Sequence, residues 1–279
     1  MVYRDGRAEQ VKIAYIGGGS RGWGWGLMSD LASCGDMSGD VYLYDIDFSA
    51  AQHNEVIGNL YRNAEGARSV WNYHAVRSAG EALTGADFVV ISILPGNFDD
   101  MESDVHAPEK YGIYQSVGDT TGPGGIVRAM RTLPMYEEIA ANIRRYCPEA
   151  WVISYTNPMS LCVKTLYRVF PEIRAFGCCH EVCGTQKALA VALLKCRGAE
   201  AERHEIKVNP VGVNHFTWLT NARYRDLDLF LVWREFAERY AATGYTENLD
   251  KNWMNNSFSC SNRVKFDLFL RYGVIAAAG

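Results

Sequence analysis

"VKIAYIGGGSRGWGWGLMSDLASC", residues 11–34, decides the fold. Val11 to Ile16 is a short apolar run with little alternation, the pattern of a strand covered on both faces. A glycine-rich turn follows at once, and the stretch from Gly22 predicts a helix. Gly17, Gly19 and Gly22 fit G-x-G-x-x-G between that strand and that helix, with Ser20 inside the pattern. Glycines there permit a tight turn and a close approach of backbone to a pyrophosphate, and the start of the helix favours the anion. Alone the pattern is weak, because glycine-rich turns are common. Its context strengthens it: "VYLYDID", residues 41–47, reads as a second strand ending in acid at Asp45. A carboxylate there accepts from both ribose hydroxyls and repels a 2′-phosphate, which favours NAD over NADP. Asp45 follows Gly19 by 26 residues (45 − 19), against a usual spacing of about 20, and the loop "SCGDMSGD" at 33–40 accounts for the excess. The alternative is a turn that binds nothing.

Outward from this unit, strands and helices keep alternating. "AAQHNEVIGNLYRNA" (50–64) has helical spacing, and "ADFVVISIL" (86–94) is a third strand closed by Pro95-Gly96, which puts Pro95 at the cofactor crevice. "GGIVRAMRTLPMYEEIAANIRRYCP" (124–148) reads as helix, with Pro134 as a bend or restart. "AWVISYTNP" (150–158) is a strand stopped by Pro158, "PMSLCVKTLYRVFP" (158–171) a helix and "IRAFGCC" (173–179) a last strand. This alternation predicts an α/β fold, a Rossmann-type doubly wound parallel sheet with helices on both faces. After Cys179 the pattern becomes mixed. The expected division is an NAD-binding domain at 11–178 and a second domain of mixed α and β at 179–279.

Composition sets limits. With 279 residues and 48% hydrophobic side chains the chain can bury a substantial core. A net charge of −4 and the lack of a basic stripe argue against nucleic acid. No apolar run approaches the roughly 18 residues of a membrane span. "MVYRDGRAEQ" is polar and lacks a signal-peptide core, so a cytoplasmic location is expected. The apolar share makes a homodimer or homotetramer plausible. The eight cysteines, Cys34, Cys147, Cys162, Cys178, Cys179, Cys183, Cys196 and Cys260, are then expected as free thiols or metal ligands, most of them small buried apolar residues.

"RAFGCCHEVCGTQKA" (174–188) concentrates the chemistry. Cys179 and His180 fall just past the C-terminal end of a parallel strand, the side on which open α/β sheets bind ligands. His215, in "NPVGVNHFTWLT" (209–220), comes 36 residues after Cys179 (215 − 179). A thiolate and an imidazole suit a transition metal. Two ligands fall short of the four of a structural zinc and leave positions open for water or substrate. On spacing alone, a buried cysteine and a core histidine are the stronger reading, since both are common.

Five stretches in order carry a more specific signal: "IGGGS" (16–20), "GDTTGPGGIVRAMRT" (118–132), "YTNPM" (155–159), "GCCHEV" (177–182) and "GVNHFTW" (212–218). From about Val11 to Gly279 the chain resembles glycoside hydrolase family 4. The resemblance implies a fold similar to lactate and malate dehydrogenases, a need for NAD⁺ and a divalent metal, usually Mn²⁺, and Cys179 and His215 as metal ligands. Cys178 should then face away into packing, since neighbouring strand residues point to opposite faces. Such enzymes depart from the two-carboxylate rule of glycosidases. NAD⁺ oxidises the sugar's 3-hydroxyl, a base removes the acidified hydrogen at carbon 2, the aglycone leaves, water adds and the hydride returns.

By motif match, His180 stands where the general acid belongs, and Asp267 in "KFDLFLRYG" (265–273) where the base belongs. Asp119 is a third polar candidate near the sugar, and Asn157 and Asn214 are candidates to touch substrate, Asn157 from a rigid, cis-compatible turn with Pro158. Cys-His-Glu-Val, residues 179–182, is similar to the subgroup acting on α-galacturonides, whereas Ser in place of Glu marks neutral α-glucosidase and α-galactosidase types. Glu181 is expected to accept from a sugar hydroxyl or to keep His180 protonated, since two nearby carboxylates cannot both ionise cheaply. The uronate itself wants a bidentate arginine, with Arg128 and Arg131 as candidates. Family members continue past "RYGVIAAAG", so the second domain is expected here in its N-terminal part only. The rival readings are an NAD-dependent 2-hydroxy-acid dehydrogenase on the same fold and a non-catalytic NAD-binding fragment.

Overall fold

The computed structural model describes residues 1–115, 119–245 and 260–277. The chain divides into two compact units, one of Met1–Asp100 and Arg128–Cys178, the other of Met101–Val127 and Cys179–Gly279. The excursion 101–127 therefore departs from the division expected at 179: it leaves the first unit after β5 and returns through α5, packing with the second.

The first unit is built on β1 (Val2–Arg4), β2 (Arg7–Ile16), β3 (Met37–Tyr44), β4 (Trp71–Val76), β5 (Phe88–Ile91), β6 (Trp151–Ser154) and β7 (Arg174–Gly177). The order is β4-β3-β2-β5-β6-β7, parallel throughout, with β1 antiparallel to β2. This is the doubly wound dinucleotide arrangement, with its switch point between β2 and β5. Its helices are α1 (Gly22–Ser33), α2 (Phe48–Tyr61), α3 (Ala79–Leu83), part of α4 (Phe98–His106), most of α5 (Gly122–Tyr146) and α6 (Met159–Val169).

Alternate residues of β2 explain why its run is apolar on both faces, with Lys12 the exception at its start, its Nζ donating to the Glu81 and Thr84 carbonyls. Val11, Ile13 and Tyr15 pack with Met28, Leu31, Leu43 and Ala51 in one layer. Ala14 and Ile16 pack with Ile91, Val152, Tyr136 and Ile143 in another. Helices on both faces bury both sets, so the period of two carries no polarity signal. The edge strand β4 is protected by a side chain: Asn59 donates to the Tyr73 carbonyl and accepts from the Tyr73 amide, both at 3.0 Å, as a neighbouring strand would. α5 runs through Pro134 as one helix. Burial of Ala129, Tyr136, Ala140 and Ile143 along it outweighs the cost of an interior proline, about 3 kcal/mol.

The second unit carries β8 (Ile206–Val213) and β9 (Phe216–Tyr224) as an antiparallel hairpin, with β10 (Leu227–Asp228) and β11 (Ile275–Ala276) antiparallel to β9. Around it pack α7 (Glu181–Arg197), α8 (Leu229–Tyr240) and α9 (Arg263–Tyr272). Leu189, Leu193, Leu219, Trp233, Phe236, Phe266 and Phe269 form its core. Phe236 meets both Trp233 and Phe266 at 5.8 Å between ring centres. Phe236→Ala is expected to cost about 3–5 kcal/mol, read as a lower urea midpoint at unchanged slope. A loss under about 1 kcal/mol would mean that this cluster is not the unit's core.

Seven cysteines are free thiols, of which Cys147 and Cys162 are buried and Cys34, Cys178, Cys179, Cys183 and Cys196 half-buried; the Cys260 side chain lies outside the described residues. The expectation that most are fully buried does not hold, because five sit at element ends or on helix flanks. Burial pushes the Cys147 thiol up to about 11 and that of Cys162 to about 12. Among the described residues no helix is long and apolar enough to cross a membrane.

Candidate active site

In the first unit, the turn after β2 is held from three sides. The amides of Gly17 and Gly18 both donate to the Tyr44 carbonyl at 2.9 Å, and that of Ser20 to the Gly17 carbonyl at 2.9 Å. The Gly19 amide donates to Asp45 Oδ2 at 2.8 Å, and the Asp47 amide to Asp45 Oδ1 at 2.9 Å. Asp45, read from sequence as the ribose acid, thus also braces the turn it faces. Ser20 Oγ accepts from the Gly24 amide at 3.3 Å, and Gly22 opens α1. A helix start presents amides without intrahelical acceptors, which suits a pyrophosphate. Pro95 is buried just past β5. The Asn157–Pro158 bond is cis, and Arg128, itself buried, donates from Nε to the Asn157 carbonyl at 3.3 Å.

In the second unit, two local structures deliver donors to one point. Cys179 and His180 follow β7, and Glu181 is the first residue of α7, with His180 as its N-cap. His215 lies in the two-residue turn joining β8 and β9, at φ +59. That left-handed conformation costs an ordinary side chain of order 1 kcal/mol, the kind of strain found at functional sites. His215 Nε2 lies 3.7 Å from Cys179 Sγ and 3.7 Å from Glu181 Oε1. The three donor atoms all fall within 4.8 Å of one another. An ion at about 2.0–2.3 Å from such donors sets neighbouring ones about 3.4–3.6 Å apart at tetrahedral angles. The two separations from the nitrogen lie within tenths of an ångström of that spacing, and a sulfur, a nitrogen and an oxygen are a donor set suited to a divalent transition metal.

The other face of the imidazole is fixed. His215 Nδ1 lies 2.9 Å from Asp119 Oδ1 and 2.9 Å from Thr120 Oγ1. Thr120 also reaches Asp119 Oδ1 at 3.2 Å and Asn214 Oδ1 at 3.5 Å. With Nδ1–H donated to the Asp119 carboxylate, Nε2 is left as the ligand atom, the carboxylate–histidine arrangement of metal sites. Asp119, expected as a catalytic group, therefore positions the histidine, and Glu181, expected at a sugar hydroxyl, stands among the metal-capable donors. Asn214 meets Thr120 behind the same ring. Thr120 is unmarked in the sequence: a threonine in a Gly/Thr-rich turn carries no pattern that distinguishes it.

Asp267 is not brought to this group. It lies on the exposed face of α9, and Arg271 Nε donates to both of its oxygens at 2.8 Å. The helix sets the two residues four apart, an ordinary surface pair. Asp267→Asn is expected to change stability by less than about 0.5 kcal/mol and to leave turnover within a few-fold. Collapse of turnover with cofactor and metal binding intact would return the base role to Asp267. His180 is exposed beside both Cys179 and Glu181.

Electrostatics couple the donors to pH. Burial works against the charged His215 imidazolium but is outweighed by the hydrogen bond to Asp119, the contact with Cys179 and the charges of Asp119 and Glu181, so its pKa is pushed up to about 10. Burial raises that of Glu181, partly offset by His215, Lys265 and His180. A raised histidine pKa stabilises the metal-free fold fully below the ordinary value of 6.5, and that contribution is lost as pH rises through about 10. Ligand thiol, nitrogen and carboxylate must all be free of their protons to bind a metal. Mn²⁺ affinity should therefore climb by at least about tenfold per pH unit from pH ~6 to ~8, more steeply where the Cys179 thiol also gives up its proton on binding, with proton release visible by calorimetry in buffers of different ionisation enthalpy. A flat profile would exclude His215 as a ligand.

The chain is similar to known proteins along its length. It is 61% identical over 280 residues to an α-galacturonidase of Thermoanaerobacterium saccharolyticum, an alignment that spans 100% of this chain and 60% of that one. A solved Bacillus subtilis chain described as a glucosidase superposes with a TM-score of 0.87 at 56% identity, covering 97% of this chain and 61% of that one. A 6-phospho-α-glucosidase from gut microorganisms, solved with NAD and Mn²⁺, superposes at 0.71 with 21% identity over 95% of this chain and 61% of its own, a likeness of fold. The chain thus spans about 60% of the length of the curated relatives it matches. It matches the family 4 glycosyl hydrolases over residues 12–195 and their C-terminal domain over residues 210–279. With the dinucleotide fold and the Cys179–His215 pair in place, these matches make the chain a member of glycosyl hydrolase family 4.

Proposed function

We propose that this protein hydrolyses α-galacturonides with NAD⁺ as a recycled cofactor and Mn²⁺ or another divalent ion as a resident metal. The observation that carries the reading is the convergence of Cys179 Sγ and Glu181 Oε1, both from the Cys-His-Glu-Val stretch, with His215 Nε2 on one point. The α-galacturonidases at 57–61% identity supply the sugar. When bound, NAD⁺ supplies reversible hydride exchange at the sugar's carbon 3, and the metal supplies electrophilic polarisation of its oxygens.

The chain's own residues have separate tasks. Cys179, His215 and Glu181 hold the metal, while Asp119 and Thr120 fix the His215 ring. His180, at the exposed start of α7, delivers a proton to the leaving oxygen. The Gly17–Gly22 turn and Asp45 hold the cofactor's pyrophosphate and ribose, with Pro95 walling the crevice. Asn157 and Asn214 belong to the sugar's surroundings, and Arg128 is the guanidinium assigned to the uronate. A cytoplasmic homodimer or homotetramer is part of the same proposal, tested by fractionation and by light scattering.

The deciding assay compares nitrophenyl α-galacturonide, α-glucuronide, α-galactoside and α-glucoside with NAD⁺ and Mn²⁺, the preferred sugar carrying deuterium at carbon 2. Preference for the galacturonide with loss of deuterium to solvent, or a slowed turnover, is expected. Preference for a neutral sugar refutes the uronate, and full retention of deuterium at undiminished rate refutes the elimination route.

A further inference from the structure

Asn54 stands out in the first unit as a buried polar side chain with both amide hydrogens donated and its oxygen accepting. It lies on α2 with 2% of its surface exposed. Its Nδ2 donates to the Gly18 carbonyl at 2.8 Å and to the Ser20 carbonyl at 2.9 Å. Its Oδ1 accepts from Trp25 Nε1, on α1, at 2.9 Å. One amide from a neighbouring helix thus grips two carbonyls of the glycine-rich turn and the first helix beyond it.

The consequence follows from peptide geometry. In a trans peptide the C=O and the next residue's N–H point in opposite directions across one rigid plane. The Gly18–Gly19 plane is clamped at both ends, its carbonyl on Asn54 and its N–H on Asp45 Oδ2. The Ser20–Arg21 plane is clamped at its carbonyl, so the Arg21 N–H, at the N-cap of α1, is turned away from Asn54. We propose that Asn54 is a positioning residue for the cofactor: by pinning the Ser20 carbonyl inward it aims the Arg21 amide at the pyrophosphate. This rests on the NAD⁺ reading above. It asks nothing of Asn54 beyond what its three bonds already do, and it gives a reason for the "GWGW" start of α1, since Trp25 holds the amide in the orientation that presents Nδ2 to the carbonyls.

Aspartate at position 54 has nearly the same volume and can still accept from Trp25. Ionised, it opposes both carbonyls; protonated, it donates to one of them. For Asn54→Ala, the dissociation constants of NAD⁺ and ADP-ribose should rise about tenfold, with that of Mn²⁺ within about twofold of the parent. Asn54→Asp should bind NAD⁺ at least as weakly at pH ~8 and recover toward the parent as pH falls to ~5, because burial and the two facing carbonyls raise its carboxyl above the ordinary aspartate value of about 3.9. The recovery is the signature that a general packing role would not give. NAD⁺ affinity within about twofold of the parent in Asn54→Ala, parallel losses of Mn²⁺ and NAD⁺ binding, or an Asn54→Asp chain whose affinity ignores pH would each overturn the assignment. A parent protein that does not bind NAD⁺ would instead overturn the cofactor reading itself.

Discussion

Replacing His215 by alanine is expected to abolish tight Mn²⁺ binding and to lower glycosidase turnover by about 10³-fold or more, the several kcal/mol that a bound metal contributes to stabilising developing charge. Cys179→Ser should do nearly the same, because an alcohol does not ionise in the neutral range and replaces a soft anionic ligand by a neutral one. Asp119→Asn should be milder. It keeps the shape but offers His215 Nδ1 a weaker acceptor, and outer partners of this kind are worth about 10–100-fold in metal affinity. The order of the three losses, measured by calorimetry and by turnover in excess Mn²⁺, tests the geometry as well as the residues. Excess metal should rescue Asp119→Asn and leave His215→Ala inactive. If Asp119→Asn proves the most damaging and excess Mn²⁺ restores nothing, Asp119 acts on substrate and the positioning role fails.

How far the sequence carries the fold depends on where the physical signal sits. β2, β3, β5, β6 and β7 are legible as short runs rich in apolar residues, closed by glycine or proline after β2, β5 and β6, by Asp45 after β3 and by the Cys178–Cys179 pair after β7. β4, "WNYHAV", is not. It is an edge strand with polar residues on alternate positions, and its protection comes from Asn59, which no local pattern announces. The excursion 101–127 is equally silent, since its affiliation with the second unit is a matter of long-range packing. At the site, Cys179 and His215 stand out by residue type and motif, whereas their mutual distance depends on a helix start and a hairpin turn meeting in space. Glu181 and Asp119 are both polar candidates by sequence, and only the geometry separates a donor facing the cluster from one behind the imidazole. Asp267 shows the converse: a motif match places it by sequence, and the helix turns it to the surface beside Arg271.

Two glycines of one motif should answer in opposite ways. Gly17 has φ +93, and a Cβ built on it would sit 2.1 Å from the Ser92 carbonyl oxygen and 2.7 Å from its carbon. Those atoms are backbone at the end of β5 and cannot swing aside, so the strand pair β2–β5 must part or the turn must rebuild. The left-handed backbone adds about 1–2 kcal/mol for any L side chain. Gly17→Ala is therefore expected to lose more than about 3 kcal/mol of stability and, in whatever stays folded, most of its affinity for NAD⁺. Gly22 is different: a Cβ there meets nothing within 4 Å, and its backbone is helical at the start of α1. Alanine at that position should raise stability by about 0.5–1 kcal/mol, because glycine gives up more conformational freedom on entering a helix. Stability and NAD⁺ affinity then separate the two roles a glycine can have in this turn. Gly17 is required by the fold whether or not cofactor is present. Gly22 is tolerated by the fold, so a weaker NAD⁺ affinity in a Gly22→Ala chain of undiminished stability would mark it as the place where ligand comes closest to the backbone. A Gly17→Ala chain as stable as the parent would mean that the turn adapts, and the close approach of β2 to Ser92 would no longer explain why glycine stands there.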